Sequence, residues 1–102
     1  MTQWHDIGSF ASLKEDEPRG VTVENIPIGI FKVGQACYAI HDVCPHQFVR
    51  LSKGFLEGSI VECPLHEAKF DLATGRCLEG PTEEDVAVYE TKVDGDRLWV
   101  KV

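Results

Sequence analysis

Two short pairs of cysteine and histidine dominate this sequence. Cys44 and His46 form the first pair in the run Cys-Pro-His, and Cys63 and His66 form the second in Cys-Pro-Leu-His. Each pair supplies one thiolate and one imidazole, which are ligands that zinc and iron–sulfur clusters both accept. The segment between the pairs has the pattern of a hairpin. The spacing therefore predicts a metal centre held between two loops.

The spacing between the two residues of a pair indicates which metal the pair can bind. Cys44 and His46 are separated by one residue, which is shorter than the roughly two to four residues between the cysteines of a zinc knuckle. Such a pair works when its two side chains reach different iron atoms joined by bridging sulfide. Cys44 and Cys63 would then hold one iron, and His46 and His66 the other. A zinc-stabilised binding module stays open as the alternative.

At these residues the chain resembles the Rieske [2Fe–2S] proteins, in which two histidines replace two cysteines at one iron. Positions beyond the two pairs also fit that family: Leu51, Ser52, Gly54, Gly58, Val61, Phe70, Asp71, Thr74, Gly75, Gly80 and Pro81. The resemblance implies one [2Fe–2S] cluster bound by Cys44, His46, Cys63 and His66. It also implies that the histidines leave Nε2 at the surface as the electron exit, and that the loop at Gly80-Pro81 covers the cluster.

Respiratory members of that family differ from this chain around the cluster. They resemble it in the ligands, but they add a disulfide and two hydroxyl groups that donate hydrogen bonds toward the cluster. The corresponding positions here are Val49 and Leu65 for the disulfide, and Ala68 and Phe70 for the hydroxyls. Fewer donors stabilise the reduced form less. We therefore predict a reduction potential at the low end of the Rieske range of about −150 to +300 mV.

The respiratory proteins also carry a membrane anchor, and we expect none here because no apolar run is long enough to span a membrane. The chain thus resembles the ferredoxin component of bacterial aromatic-ring-hydroxylating dioxygenase systems. That resemblance implies a one-electron carrier, not an enzyme, placed between a flavin-dependent NAD(P)H-oxidising reductase and the Rieske centre of a terminal oxygenase. The small Rieske subunit of an assimilatory nitrite reductase has a similar size and motif and remains the alternative.

Composition and charge limit the number of domains, the class of partner and the cellular location that we expect. The 102 residues, 43% hydrophobic and 26% charged, predict one domain over residues 1–102. A net charge of −7 disfavours nucleic acid as a partner. No apolar run is long enough to span a membrane, and the N-terminus has no signal-peptide pattern. We expect a cytoplasmic protein that is monomeric or weakly associated.

Strand and turn patterns run through almost the whole chain and predict an all-β fold, a small β-barrel or sandwich. Gly34-Gln35 predicts a type II′ hairpin and Asp94-Gly95 a type I′ hairpin, with a strand at Val86–Tyr89. The cluster-binding hairpins are expected to project as a subdomain over about residues 41–70.

The charges are distributed unevenly along the chain. Residues 41–70 carry a net charge of −1, and the remainder carries −6. We expect the body charge to orient a partner over long range. Phe48, Val49 and Leu65 would then either contact the partner or exclude water from the cluster. The other two histidines, His5 and His41, are expected to be structural or surface residues. The other two cysteines, Cys37 and Cys77, are expected to be reduced thiols.

Overall fold

The computed structural model describes residues 2–15, 17–44, 49–64, 68–80 and 84–102. Within these ranges the secondary structure is almost entirely β-strand, with one 3-10 turn at Leu51–Lys53. The strands are β1 (Trp4–Ser9), β2 (Arg19–Val23), β3 (Ile26–Val33), β4 (Ala36–His41), β5 (Phe55–Glu57), β6 (Ile60–Glu62), β7 (Lys69–Asp71), β8 (Cys77–Glu79), β9 (Val88–Asp94) and β10 (Arg97–Lys101). The prediction of an all-β fold is confirmed.

Six strands form a barrel-like antiparallel sheet in the order β1-β10-β9-β4-β3-β2. Alternate residues of its strands point to one side, as the two-residue period of a strand requires. Ile28 and Ile30 from β3 pack there against Leu98 and Val100 from β10, and all four are buried. No helix in the described part of the chain is both long and apolar enough to cross a membrane.

The remaining four strands form a second antiparallel sheet, in the order β5-β6-β7-β8. In sequence it lies wholly between β4 and β9, which pair directly with each other through Ala39 with Tyr89 and Ile40 with Val88. The second sheet is therefore an insertion between two neighbouring strands of the barrel-like sheet. It runs past residue 70, where the predicted subdomain ended, because β8 pairs with β7.

Two hairpin turns were predicted from glycine positions, and one needs a correction. Gly34 has a φ of +61° in the two-residue turn between Val33 and Ala36, as the type II′ prediction requires. The predicted type I′ turn at Asp94-Gly95 is wrong by one residue. Asp94 still pairs with Arg97, so the turn residues are Gly95, with a φ of +64°, and the residue after it.

The turn between β2 and β3 forms without glycine, and β9 begins later than the sequence predicted. Glu24 and Asn25 both have positive φ, as in a type I′ turn, although neither is glycine. The strand predicted at Val86–Tyr89 begins only at Val88. Val86 instead donates its N–H to the carbonyl of Gly75, 2.8 Å away, and so joins the second sheet's turn to the main sheet.

Candidate metal centre

Two of the four predicted ligands lie in the described residues, and both are buried. Cys44 follows β4 and Cys63 follows β6, so each comes shortly after a strand ends. Each is 1% exposed, and both belong to one core cluster that includes Leu51 and Phe70. Two thiols that are far apart in sequence therefore share one apolar environment.

Each cysteine begins a loop that one main-chain hydrogen bond closes. The N–H of Cys44 donates to the carbonyl of Val49 at 3.0 Å, and the N–H of Cys63 donates to that of Ala68 at 2.7 Å. We call residues 44–49 the first ligand loop and residues 63–68 the second. Five positions that the sequence singled out lie outside the described residues: His46, Phe48, Leu65, His66 and Pro81.

The described donors fit an iron–sulfur cluster held between the two loops. Two buried thiols in apolar surroundings would be suitable sulfur ligands for one iron, and each loop also contains a histidine in its sequence. In the chain outside residues 1, 16, 45–48, 65–67 and 81–83, no group of three or more metal-ligating side chains forms a site elsewhere.

A buried carboxylate supports the first ligand loop. Asp42 is 0% exposed, and Oδ1 accepts the N–H of Ser52 at 2.7 Å. Its Oδ2 accepts the Ser52 hydroxyl at 2.8 Å and the Arg50 guanidinium at 3.1 Å. Sequence reasoning counted Asp42 only in the net charge of residues 41–70. The missed signal was its place two residues after the buried Ile40 and directly after the end of β4, where the two-residue period of a strand would point it inward.

A glycine pair makes room for that carboxylate. Gly20 on β2 and Gly29 on β3 are directly opposite each other. A Cβ on Gly20 would lie 2.9 Å from Oδ2 of Asp42, and one on Gly29 would lie 2.7 Å from Oδ1. Any side chain at either position would therefore push against the buried acid.

Apolar packing supports the second ligand loop. Ala68 and Phe70 are 0% exposed and lie in the same cluster as Cys63. Gly80, with a φ of +133°, packs so closely that a Cβ there would lie 2.7 Å from the Cα of Ala68. The chain that leads into the predicted proline loop is thus in contact with the second ligand loop.

A solvent-exposed ion pair joins neighbouring strands of the second sheet. The Lys69 ammonium is 3.1 Å from a carboxylate oxygen of Glu79 and 4.0 Å from one of Glu62. The hydrogen bond and charge of Glu79 raise the pKa of Lys69 above its usual value. Exposed pairs of this kind add little to stability.

The two remaining cysteines lie in strands, outside the two ligand loops. Cys37, in β4, is half-buried, and burial raises the pKa of its thiol to about 11, so it stays protonated at neutral pH. The Cys77 thiol donates to the carbonyl of Glu79 at 3.6 Å. Both are thiols, as the sequence predicted. His5 and His41 lie in β1 and β4, and their structural role stays a prediction.

The model of the Rieske [2Fe–2S] domain matches residues 3–90. The chain belongs to the Rieske [2Fe–2S] family. It is 36% identical to the anthranilate 1,2-dioxygenase ferredoxin subunit of Burkholderia cepacia, over 100% of this chain and 94% of that protein. It is 38% identical to the naphthalene 1,2-dioxygenase system ferredoxin component of Pseudomonas aeruginosa, over 98% and 97% of the two chains.

Solved structures agree with this membership. The ferredoxin of carbazole 1,9a-dioxygenase from Nocardioides aromaticivorans IC177 superposes with a TM-score of 0.91 at 29% identity, over 95% of both chains. A ferredoxin solved in complex with the reduced oxygenase of carbazole 1,9a-dioxygenase gives 0.88 at 29% identity, over 94% of this chain and 99% of that one.

Family and relatives together decide the cofactor and the type of protein. The chain carries one Rieske-type [2Fe–2S] cluster, so the zinc alternative is excluded. Its relatives are ferredoxin components, and this Rieske protein is an electron carrier rather than an enzyme.

Proposed function

We propose that this Rieske protein is the ferredoxin of an aromatic-ring dioxygenase system. It accepts single electrons from an NAD(P)H-dependent flavin reductase and delivers them to the terminal oxygenase. The observation that carries this proposal is the similarity to dioxygenase ferredoxins at 36% and 38% identity over nearly the whole of both chains. The solved complex of a similar ferredoxin with its oxygenase supports the second partner.

The proposal extends to the setting of the carrier. We place it in the cytoplasm, as a single domain over residues 1–102 that is monomeric or weakly associated. The nitrite reductase alternative has weaker support. A nitrite reductase small subunit from Mycobacterium tuberculosis superposes with a TM-score of 0.90, but at 22% identity that likeness concerns the fold alone.

The proposed ligands are Cys44 and Cys63 at one iron and His46 and His66 at the other. When bound, the cluster takes up and releases one electron at a time. The two thiolates balance the net charge of two ferric ions and two sulfides, and neutral histidines add nothing. The oxidised site is therefore neutral and the reduced site carries −1, whereas four thiolates would give −2 and −3. Histidine ligation thus makes the electron easier to add.

Residues in and just after the second ligand loop keep the reduction potential at the low end for this ligand set. Ala68 and Phe70 are fully buried beside Cys63 and have no hydroxyl to donate. The nearby Ser52 hydroxyl donates to Asp42. The extra negative charge of the reduced site therefore receives fewer hydrogen bonds than in proteins with a serine and a tyrosine there.

The charge distribution suggests how partners approach. The acidic excess outside residues 41–70 would orient a partner with a basic surface. Val49 packs against the core around the cysteines, which supports its role in excluding water. The contact role of Phe48 and Leu65 stays a prediction, because both lie outside the described residues.

Reconstitution tests the proposed function. The cluster-loaded protein is mixed with a purified flavin reductase, NADH and a dioxygenase terminal oxygenase, and oxidation of the aromatic substrate is followed. We expect turnover that saturates with ferredoxin concentration and vanishes when the chain is omitted. The proposal is wrong if the reductase reduces the protein but the reduced protein cannot reoxidise with any terminal oxygenase of the related systems.

A further inference from the structure

Asp42 is the one charged residue in the core of the described chain, and Ser52 is the one other buried polar residue there. Burying a carboxylate costs free energy unless hydrogen bonds and an opposite charge compensate it. Hydrophobic residues of the same size would fill this space with less cost. A buried acid next to a metal ligand therefore calls for a role beyond packing.

Asp42 ties together the two ends of the first ligand loop. It precedes Cys44 by two residues, and its side chain binds Arg50 and Ser52 just after the loop. Its main-chain carbonyl also accepts the N–H of Leu51 at 2.6 Å, and its own N–H donates to Pro27 at 2.9 Å. The entry and exit of the loop are thus fixed to each other and to β3.

Arg50 is the ionic partner of this acid, and the two differ in their exposure to solvent. The carboxylate is 0% exposed, whereas the side chain of its ionic partner Arg50 is 47% exposed. Solvent screens the guanidinium much more than the buried carboxylate. A net negative potential therefore remains inside the protein, at a residue that precedes Cys44 by two positions.

We propose that Asp42 is a positioning residue for the first ligand loop and that its buried charge lowers the reduction potential of the cluster. Reduction adds one negative charge to the site, and a fixed negative charge nearby opposes that addition. Asp42 therefore acts together with the missing hydroxyls at Ala68 and Phe70. This inference rests on the cluster and not on the identity of the partners.

Three variants of the ion pair test the proposal, each measured as a reduction potential of the loaded protein. Asp42→Asn keeps the shape and removes the charge, and we expect it to raise the potential. Arg50→Gln leaves the buried charge without its cation, and we expect it to lower the potential. Arg50→Lys keeps the cation and should restore a value close to that of the wild type. A tenfold change in the equilibrium constant for reduction corresponds to about 59 mV.

The opposite signs separate a charge effect from mere loosening of the loop. Both Asp42→Asn and Arg50→Gln break the same ion pair, so a purely structural role would shift the potential in one direction for both. Asp94→Asn removes an exposed acid of β9 and serves as the control, with an unchanged potential. Iron and acid-labile sulfide per chain and the electron paramagnetic resonance spectrum report whether each variant holds an intact cluster.

Two results would overturn the proposal. One is an Asp42→Asn protein with full iron content and the potential of the wild type. The other is a shift of the same sign in Asp42→Asn and Arg50→Gln. If Asp42→Asn fails to load iron while Asp94→Asn loads it, the positioning role is supported, and the charge role is then decided by Arg50→Gln against Arg50→Lys.

Discussion

The two ligand loops have the same backbone closure but different supports. Each loop begins at a buried cysteine whose N–H donates to a carbonyl five residues later. The first loop rests on a buried carboxylate with directional polar contacts, and the second packs against the buried Phe70 and the closely approaching Gly80. The comparison teaches that one geometry of ligand presentation can be fixed by hydrogen bonds on one side and by close packing on the other.

The two supports suit different tasks. Hydrogen bonds to Asp42 define the position of the first loop, because their geometry tolerates little displacement. Ala68 and Phe70 are buried in the same cluster as Cys63 and have no hydroxyl to donate, and we expect this to make the reduced state less favourable. From the two supports together we expect a firmly positioned cluster of low reduction potential.

The largest effect is expected from removing either cysteine. Cys44→Ala and Cys63→Ala each take away one of two thiolates, so neither protein should hold the cluster. The measurement is iron and acid-labile sulfide per chain together with the visible spectrum. Cys37→Ala is the matched control, since that thiol lies in β4, outside both loops, and it should keep full iron content. Retention of the cluster by Cys63→Ala would show that the second loop does not present a cysteine ligand, and would contradict the comparison.

A packing variant probes the apolar support of the second loop. Phe70→Ala leaves a cavity beside Cys63, and we expect the free energy of unfolding to fall by about 3–5 kcal/mol. Guanidinium unfolding followed through loss of visible absorbance measures the change. Phe55→Ala is the matched control, because that phenylalanine is 65% exposed on the same sheet. Its effect should stay within about 0.5 kcal/mol, and equal losses in the two variants would contradict the apolar support.

A hydroxyl added to the second loop sharpens the comparison further. Ala68→Ser places a donor at a fully buried position beside Cys63, where the resembling respiratory proteins have one. We expect the equilibrium for reduction to shift toward the reduced form by roughly tenfold, or about 59 mV. Voltammetry measures the shift. A lower potential in the loaded variant would show that the absence of donors does not keep the potential low.

The smallest effect is expected at the surface ion pair of the second sheet. Lys69→Met removes a cation that is paired with Glu79 but exposed to solvent. We expect iron content, potential and thermal stability to stay close to those of the wild type, because water and salt screen such pairs. Comparison of melting at low and high ionic strength checks this. A large loss of bound iron would mean that the second loop also depends on a polar contact, the ion pair of Lys69 with Glu79.

Local patterns in the sequence predicted the features that depend on residues close together in the chain. Alternation and the turn at Gly34 gave the all-β fold and one hairpin. The two Cys–His pairs predict the ligand set, and that set stays a prediction. The Gly95 turn was misplaced by one residue because both Asp94 and Asp96 are acceptable turn residues beside a glycine.

Long-range contacts were out of reach of the same reasoning. The space for the Asp42 carboxylate is created by Gly20 and Gly29, which are opposed only once β2 and β3 pair. Similarly, the extension of the second sheet to β8 depends on Lys69 pairing with Glu79. Neither relation leaves a period or a motif in the sequence.

A redox titration of the loaded protein, monitored by electron paramagnetic resonance, tests the central claim most directly. We predict uptake of one electron per chain, a reduced-state signal with the low average g of a cluster with mixed sulfur and nitrogen ligands, and a midpoint near the lower limit of about −150 mV for Rieske centres. A colourless protein, a reduced state without that signal, or a strongly positive midpoint would contradict the account.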